Sequence, residues 1–334
     1  MKKLLVFVLA ILVAGLLLAA GSQEDVIAAS ADSPITLKVG YEMSPGEPVS
    51  RAMKFWAEII EERSDGKIKF ELFPSSQIGS KKDLVEQMLH GANVMTITDP
   101  SFLAEYNADF GILTAPYLTT NWDQIFKITD SDWFASLAKG LEKKGLKIIT
   151  TEWAFGIRHI LTKTPVKTPE DLKGMKIRTP NNKMYIETFN MLGAAATPMP
   201  FGEAYTALTQ GVIDGLENIL SAFYGAKQYE VAKYISLTRH QYLISEWVVG
   251  MDFWDSLSPE FQEIFINTAH EAGVIQNDIA HREDERIINK LRSEGVTFID
   301  PDIAAFKEKT LEVYSRFPEW SPGLYEKIQG ILNK

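Results

Sequence analysis

Two arginines stand in surroundings that suit an anion-binding site. Arg178 lies at the end of a short predicted strand, where Pro180 and Asn181 force the chain to turn. Arg158 is flanked by glycine and apolar residues, unlike a typical surface arginine. A guanidinium keeps its charge and holds a carboxylate through two parallel hydrogen bonds, so these positions favour an anionic organic ligand. The alternative for each is a structural arginine paired with an acidic side chain.

Motifs for nucleotide binding, covalent catalysis and metal binding are missing from the sequence. The nearest phosphate-loop match, at 140–145, is followed by Leu146 instead of the required lysine and hydroxyl residue, and no nucleophile-elbow pattern occurs. The five histidines are not spaced for a zinc site on one helix. Asp214, Glu217 and Asn218 form an oxygen-rich group without the glycine-punctuated pattern of a calcium loop. We expect no catalytic residue, no cofactor and no metal.

Short β-rich runs alternate with amphipathic helical runs from residue 34 onward. The pattern begins with a strand at 35–41, a helix at 48–63 and a second strand at 68–73. Such alternation predicts an α/β fold with mostly parallel sheets flanked by helices, whose ligands bind beyond the carboxyl ends of the strands. The run 259–294 predicts a helix long enough to span two lobes.

Two lobes are expected because the chain exceeds the usual size of one domain. No low-complexity linker separates them, so the chain is expected to cross between the lobes near residues 155 and 244. We therefore predict that lobe I contains 33–155 plus 244–283 and that lobe II contains 156–243 plus 284–334.

The amino terminus predicts export. Lys2 and Lys3 precede an uncharged apolar run at 4–18, which is shorter than the roughly 20 residues of a membrane-spanning helix. We predict a signal peptide at 1–20, cleaved somewhere within 20–31, and a periplasmic protein without a membrane anchor. The absence of cysteine excludes lipidation and disulfides, and the formal charge of -10 argues against nucleic acid as a partner.

Five segments, in this order, resemble the substrate-binding proteins of TRAP transporters (the DctP family), the tripartite ATP-independent periplasmic carriers of organic acids. They are 73–79 (FPSSQIG), 171–181 (DLKGMKIRTPN), 193–201 (GAAATPMPF), 203–205 (EAY) and 211–218 (GVIDGLEN). The resemblance extends over most of the chain. It implies two lobes that close over an organic acid, as in a periplasmic binding protein, and delivery to small and large membrane subunits driven by an ion gradient.

The resemblance also assigns roles to residues. In the family the arginine at the position of Arg178 makes the bidentate contact to the ligand carboxylate, and the arginine at Arg158 commonly faces the ligand. Asn218 matches the asparagine that closes a family motif, while Phe201 and Asn181 occupy positions that often line the pocket. We expect a monomer that binds its ligand and catalyses nothing.

Specificity in this family comes from the other pocket walls, where the sequence places Glu42, Asp99, Trp153, His240 and Trp247 near predicted strand ends. Carboxylates suit sugar hydroxyls and repel a second carboxylate, which favours a uronate or aldonate over a C4-dicarboxylate. A C4-dicarboxylate or a 2-oxo acid remains an alternative ligand within the same transporter class. Two remoter alternatives are a binding module for an ATP-driven importer or a sensor, and an exported sugar-acid enzyme that uses Asp99, Glu42 and His240 as acid and base.

Overall fold

One hydrogen-bonded sheet runs through residues 33–334, the part of the chain that the computed structural model describes; the predicted signal peptide lies outside it. Its nine strands are β1 (Ile35–Gly40), β2 (Ile68–Phe73), β3 (Val94–Thr98), β4 (Leu146–Thr162), β5 (Lys176–Thr179), β6 (Ala195–Pro198), β7 (Gly215–Ile219), β8 (Tyr234–Gly250) and β9 (Thr297–Ile299). Their spatial order is β2-β1-β3-β8-β4-β7-β5-β6, with β9 paired to β8.

Helices cover this sheet. They are α1 (Pro48–Arg63), α2 (Lys81–Leu89), α3 (Pro100–Leu103), α4 (Trp122–Thr129), α5 (Asp132–Glu142), α6 (Lys183–Met191), α7 (Ala204–Thr209), α8 (Leu220–Gly225), α9 (Met251–Ser256), α10 (Pro259–Ser293), α11 (Ile303–Thr310) and α12 (Leu324–Leu332). Within residues 33–334, no helix combines the length and the apolar composition that crossing a membrane requires.

Two long antiparallel strands join the lobes, and the predicted α/β class is confirmed. The trios β2-β1-β3 and β7-β5-β6 are each parallel, and β4 and β8 run between them. The pairing of β4 with β8 shifts register between Ala154 and Gly156, close to the predicted crossing. Gly156 has a φ of 149°, and a Cβ there would lie 2.8 Å from Ile219, so this bulge requires glycine.

The long helix α10 packs on both lobes, as predicted. Its amino-terminal half contributes Phe265 and Ala269 to the core that contains Trp56. Its carboxyl-terminal half contributes Ile287 and Leu291 to the core around β7 and α7. A single rigid element therefore borders both halves of the molecule.

The carboxyl-terminal segment differs from its predicted placement in lobe II. Val313, Phe317 and Ile328 belong to the same apolar core as Ile125 and Ile128 of α4. Ile328 lies on the apolar side of α12, which packs on this core and covers apolar surface that would otherwise be exposed to solvent. We therefore propose the predicted lobe boundaries with one change, in which the chain returns to lobe I after α11.

Candidate functional site

A cavity of about 290 Å³ lies between the two lobes. Its polar wall is built at the carboxyl ends of parallel strands: Glu42 follows β1, Asp99 follows β3, Arg178 lies near the end of β5, and Phe201 follows β6. This is where open parallel sheets bind ligands. The volume is close to the lower end of small-molecule sites, about 300 Å³, which suits a compact solute.

Arg178 is a buried cation that binds a backbone carbonyl. Its Nε and Nη2 both donate to the carbonyl oxygen of Met199, at 3.0 and 2.7 Å, and its guanidinium lies 5.6 Å from the ring centre of Phe201. Among the described residues no carboxylate forms an ion pair with it. Burial lowers the pKa of Arg178 to about 10, so it is charged at neutral pH. The Nη1/Nη2 edge keeps three N–H donors, enough for bidentate binding of a carboxylate.

Arg158 lines the cavity but is already paired. Its Nε and Nη2 donate to the two carboxylate oxygens of Glu217, each at 2.6 Å, and Tyr185 packs on its guanidinium at 4.8 Å. Burial disfavours the charged form of Glu217, but Arg158 and His240 lower its pKa to about 2. Burial likewise disfavours the charged Arg158, and Glu217 raises its pKa above the ordinary value. Only the Nη1 donors of Arg158 remain for a ligand.

The wall from lobe I carries a second ion pair, between the partly buried Lys81 and the buried Asp99. Lys81 Nζ donates to Asp99 Oδ2 at 2.7 Å, while Ser101 Oγ and the Phe102 amide donate to Asp99 Oδ1. Burial raises the pKa of Asp99, but Lys81 and Ser101 outweigh it and the net shift is downward. Sequence reasoning missed Lys81. The available signal was its position directly after the helix-capping Ser80 and the 73–79 segment.

The remaining predicted residues of the cavity have simpler placements. Glu42 lines the wall of lobe I, and its negative charge acts on Arg178. Asn218 is buried on β7, with its side-chain oxygen accepting from the Ile219 amide at 2.9 Å. Asn181 is exposed at the rim, whereas Phe201 is buried beneath Arg178.

Three predicted residues do not line the cavity. His240 lies behind the Arg158–Glu217 pair, with Nε2 3.5 Å from Glu217 Oε2 and Nδ1 2.8 Å from Thr238 Oγ1; burial lowers its pKa. Trp153 and Trp247 are fully buried, with ring centres 5.5 Å apart. These indoles face the core beneath α1 and α10 because that face of the crossing strands packs against the helices.

Glu217 is the other residue that sequence reasoning left without a role. It lies in β7, all of whose residues are buried. A charged residue in a fully buried strand requires a partner of opposite charge, which is the signal that could have identified it. The partner itself is 59 residues away in the sequence.

Two α/β lobes with a buried cation in the cleft between them are typical of a solute-binding protein, and the predicted absence of enzymatic activity agrees with this class. The chain belongs to the TRAP solute-binding proteins, because the family described as bacterial extracellular solute-binding protein, family 7 (DctP), matches residues 39–319. The predicted family and its role in transport are therefore confirmed.

Several relatives have known ligands. A TRAP periplasmic solute-binding protein from Ochrobacterium anthropi with bound L-fuconate is 46% identical, with a TM-score of 0.88 over 90% of this chain and 100% of that one. One from Actinobacillus succinogenes with bound L-galactonate is 39% identical, with a TM-score of 0.88 over 89% and 99%. The 2,3-diketo-L-gulonate-binding periplasmic protein YiaO of Escherichia coli K12 is 35% identical over 82% of this chain and 84% of its own.

Proposed function

We propose that this protein captures a sugar acid with one carboxylate, of the aldonate or uronate type, and delivers it to a TRAP membrane permease. The observation that carries the proposal is Arg178, a buried cation whose hydrogen bonds within residues 33–334 go to one backbone carbonyl. A buried charge without a counter-ion is costly, and a ligand carboxylate removes that cost. The ligands bound by the three relatives described above are all sugar acids.

The charges of the cavity favour one carboxylate over two. Lys81 neutralises Asp99 and Glu217 neutralises Arg158, and Arg178 faces Glu42 across the cavity. The other two charged residues of the lining, Lys82 and Glu105, have opposite charges and are exposed to solvent. The ligand carboxylate therefore binds at Arg178, and ligand hydroxyl groups donate to Glu42 and Asp99. Asp99 already accepts hydrogen bonds from Lys81, Ser101 and Phe102, which leaves one of its acceptor positions for the ligand. A C4-dicarboxylate would place its second charge near these carboxylates, which disfavours that class.

The cellular setting follows from the family and from the predicted signal peptide. We infer a periplasmic protein that presents its closed, ligand-bound form to the small and large membrane subunits of a TRAP transporter. Ligand binding favours closure because only the closed form offers contacts from both lobes at once.

The test is calorimetric titration of the purified protein and of Arg178→Ala with L-fuconate and L-galactonate, alongside the neutral alditol of each acid. We expect both acids to bind the parent and the alditols not to. Removing the cationic partner of a desolvated carboxylate costs about 2–5 kcal/mol, so Arg178→Ala should weaken binding by about thirtyfold or more. Arg178→Lys should recover part of the loss, since it restores the charge without the two-pronged geometry.

Arg63→Ala is the matched control, because Arg63 is exposed and pairs with Glu271 on the surface. It should bind like the parent. Arg178→Ala that binds either acid as tightly as the parent would contradict the proposed site. Binding of the alditols in place of the acids would contradict the ligand class.

A further inference from the structure

A chain of hydrogen bonds crosses from one lobe to the other beside the cavity. Asn182 Nδ2 donates to Ser101 Oγ at 2.8 Å, and Ser101 Oγ donates to Asp99 Oδ1. Lys81 binds the second oxygen of the same carboxylate at 2.7 Å. Lys81, Asp99 and Asn182 line the cavity, whereas Ser101 is 2% exposed and is not part of its wall.

The direction of each hydrogen bond is fixed by its neighbours. Ionised Asp99 only accepts hydrogen bonds, so the single hydroxyl proton of Ser101 points to it and the oxygen of Ser101 is left to accept from Asn182. Asn182 is the N-cap of α6, and its Oδ1 accepts from the Tyr185 amide at 3.4 Å. Its amide group therefore turns Nδ2 toward Ser101. Chains of this kind polarise each other, so each bond strengthens the next.

Separation of the lobes breaks only one bond of this chain. Ser101 and Asp99 both belong to 33–155 and move together, while Asn182 belongs to 156–243. Opening therefore removes the Asn182 contact from Ser101 and leaves the Ser101–Asp99 bond in place. The Asp99 carboxylate, at the end of this hydrogen-bond chain, also lines the cavity. It therefore belongs both to the ligand site and to the contact between the lobes.

We infer that Ser101 is a positioning residue that couples recognition of a ligand hydroxyl at Asp99 to closure of the lobes through Asn182, without contacting the ligand itself. This inference rests on the proposed function. A hydroxyl that donates to the remaining acceptor position of Asp99 is held by the carboxylate that also organises the interlobe contact. The contact forms after ligand and protein have met, so it acts on the dissociation rate and not on the association rate.

The experiment compares L-fuconate and L-galactonate dissociation from the parent, Ser101→Ala, Asn182→Ser and the double variant by stopped flow. Asn182→Ser keeps a neutral N-cap acceptor but removes the amide donor, and it adds no charge to the wall of the cavity. One net hydrogen bond corresponds to about a fivefold change, so Ser101→Ala should dissociate about fivefold faster with an unchanged association rate. The double variant should be no faster than the faster single variant, since both remove the same connection.

Closure is measured directly between two spin labels. The chain contains no cysteine, so Lys54→Cys and Lys173→Cys, both at exposed positions on different lobes, are labelled selectively. With saturating ligand, Ser101→Ala should show a smaller closed fraction than the parent. Ser64→Ala is the matched control, because Ser64 is equally buried at 2% and binds the Ile68 amide within lobe I. Its dissociation rate and closed fraction should equal those of the parent.

The outcomes separate the two proposals. Parent-like dissociation and closure in Ser101→Ala, together with lost binding in Arg178→Ala, would overturn the coupling and leave the proposed function intact. Failure of the parent to bind either acid would overturn the proposed function and the coupling with it. Faster dissociation in Ser64→Ala as well would show a general effect of a lost buried hydroxyl and overturn the assignment to Ser101.

Discussion

At the scale of single residues, we expect Glu42 to determine how strongly the cavity disfavours a ligand with a second negative charge. It lines the wall of lobe I, and its charge acts on Arg178 in the opposite lobe. Glu42→Gln keeps the size of the side chain and one acceptor oxygen but removes the charge. We expect sugar-acid binding to weaken by about fivefold, since a charged acceptor becomes a neutral one. Binding of a C4-dicarboxylate should become stronger, because the repulsion of its second carboxylate is relieved.

Calorimetric titration with L-galactonate and succinate measures both changes. Glu86→Gln is the control, because Glu86 is exposed on α2. An unchanged ratio of the two affinities in Glu42→Gln would remove Glu42 from the determinants of specificity.

Single residues also show how far the sequence alone identifies the site. Arg178 is visible in it, because a strand-end arginine before a proline turn suits an anion. The roles of Arg158 and Lys81 depend on pairing with Glu217 and Asp99, which lie 59 and 18 residues away. Residue spacing within one segment does not reveal such contacts. They depend on which strands become neighbours in the sheet.

At the scale of elements, the sequence predicts the helices better than the crossing strands. The predicted long helix at 259–294 matches α10 closely. In contrast, the β-rich runs 146–151 and 158–162 predict two separate strands, whereas the structure has the single strand β4 there. The run 248–253 likewise predicts a strand, but it divides between β8 and α9. Register shifts along β4 interrupt the two-residue period, so one bulged strand looks like two short ones.

The packing of α10 against the crossing strands depends on Gly273. A Cβ at this position would lie 2.8 Å from Cδ1 and Nε1 of Trp153, a fully buried ring whose Nε1 donates to the Ala269 carbonyl. Alanine normally stabilises a helix by about 1 kcal/mol relative to glycine. Here we expect Gly273→Ala to lower the free energy of unfolding by about 1–3 kcal/mol, because the ring must shift within a packed core. Urea unfolding measures the change.

Gly330→Ala provides the matched comparison in α12. Nothing lies within 4 Å of the added methyl group there. This variant should be more stable than the parent by a few tenths to about 1 kcal/mol. Equal effects at Gly273 and Gly330 would show that helix propensity, and not the approach of Trp153, governs both sites.

At the scale of the whole molecule, the lobes also meet around Glu47, which is not part of the cavity wall. Ser44 Oγ donates to the carbonyl oxygen of Gly225 in α8 at 3.0 Å, and the Ser44 amide donates to Glu47 Oε1 at 2.8 Å. A Cβ on Gly225 would lie 2.5 Å from Glu47 Oε1, so this carboxyl packs directly on the other lobe. Arg51, on the next turn of α1, is engaged with Glu283. Glu47 therefore has no cationic partner among the described residues.

Burial raises the pKa of Glu47 from 4.5 to about 7, although the bond from Ser44 opposes the shift. In the unfolded chain the group titrates near its ordinary value. The free energy of unfolding is therefore highest below pH 4.5, where the carboxyl of Glu47 is protonated in both states. It falls as the pH rises from 4.5 through about 7, because the unfolded chain loses this proton first. The free energy of unfolding decreases by about 3 kcal/mol over this range. Glu47→Gln, which is neutral at every pH, should match the parent near pH 4 and be more stable than it at pH 8.

Thermal unfolding of the parent and Glu47→Gln between pH 4 and pH 8 measures this difference, with Glu58→Gln as the control at an exposed position of the same helix. The parent and Glu58→Gln should share one pH profile, and Glu47→Gln should have a flatter one. Parallel profiles for all three proteins would show that folding does not raise the pKa of Glu47. Because this contact joins the two lobes, the same ionisation should also loosen the closed form, so ligand release becomes faster as the pH rises from 5 to 8.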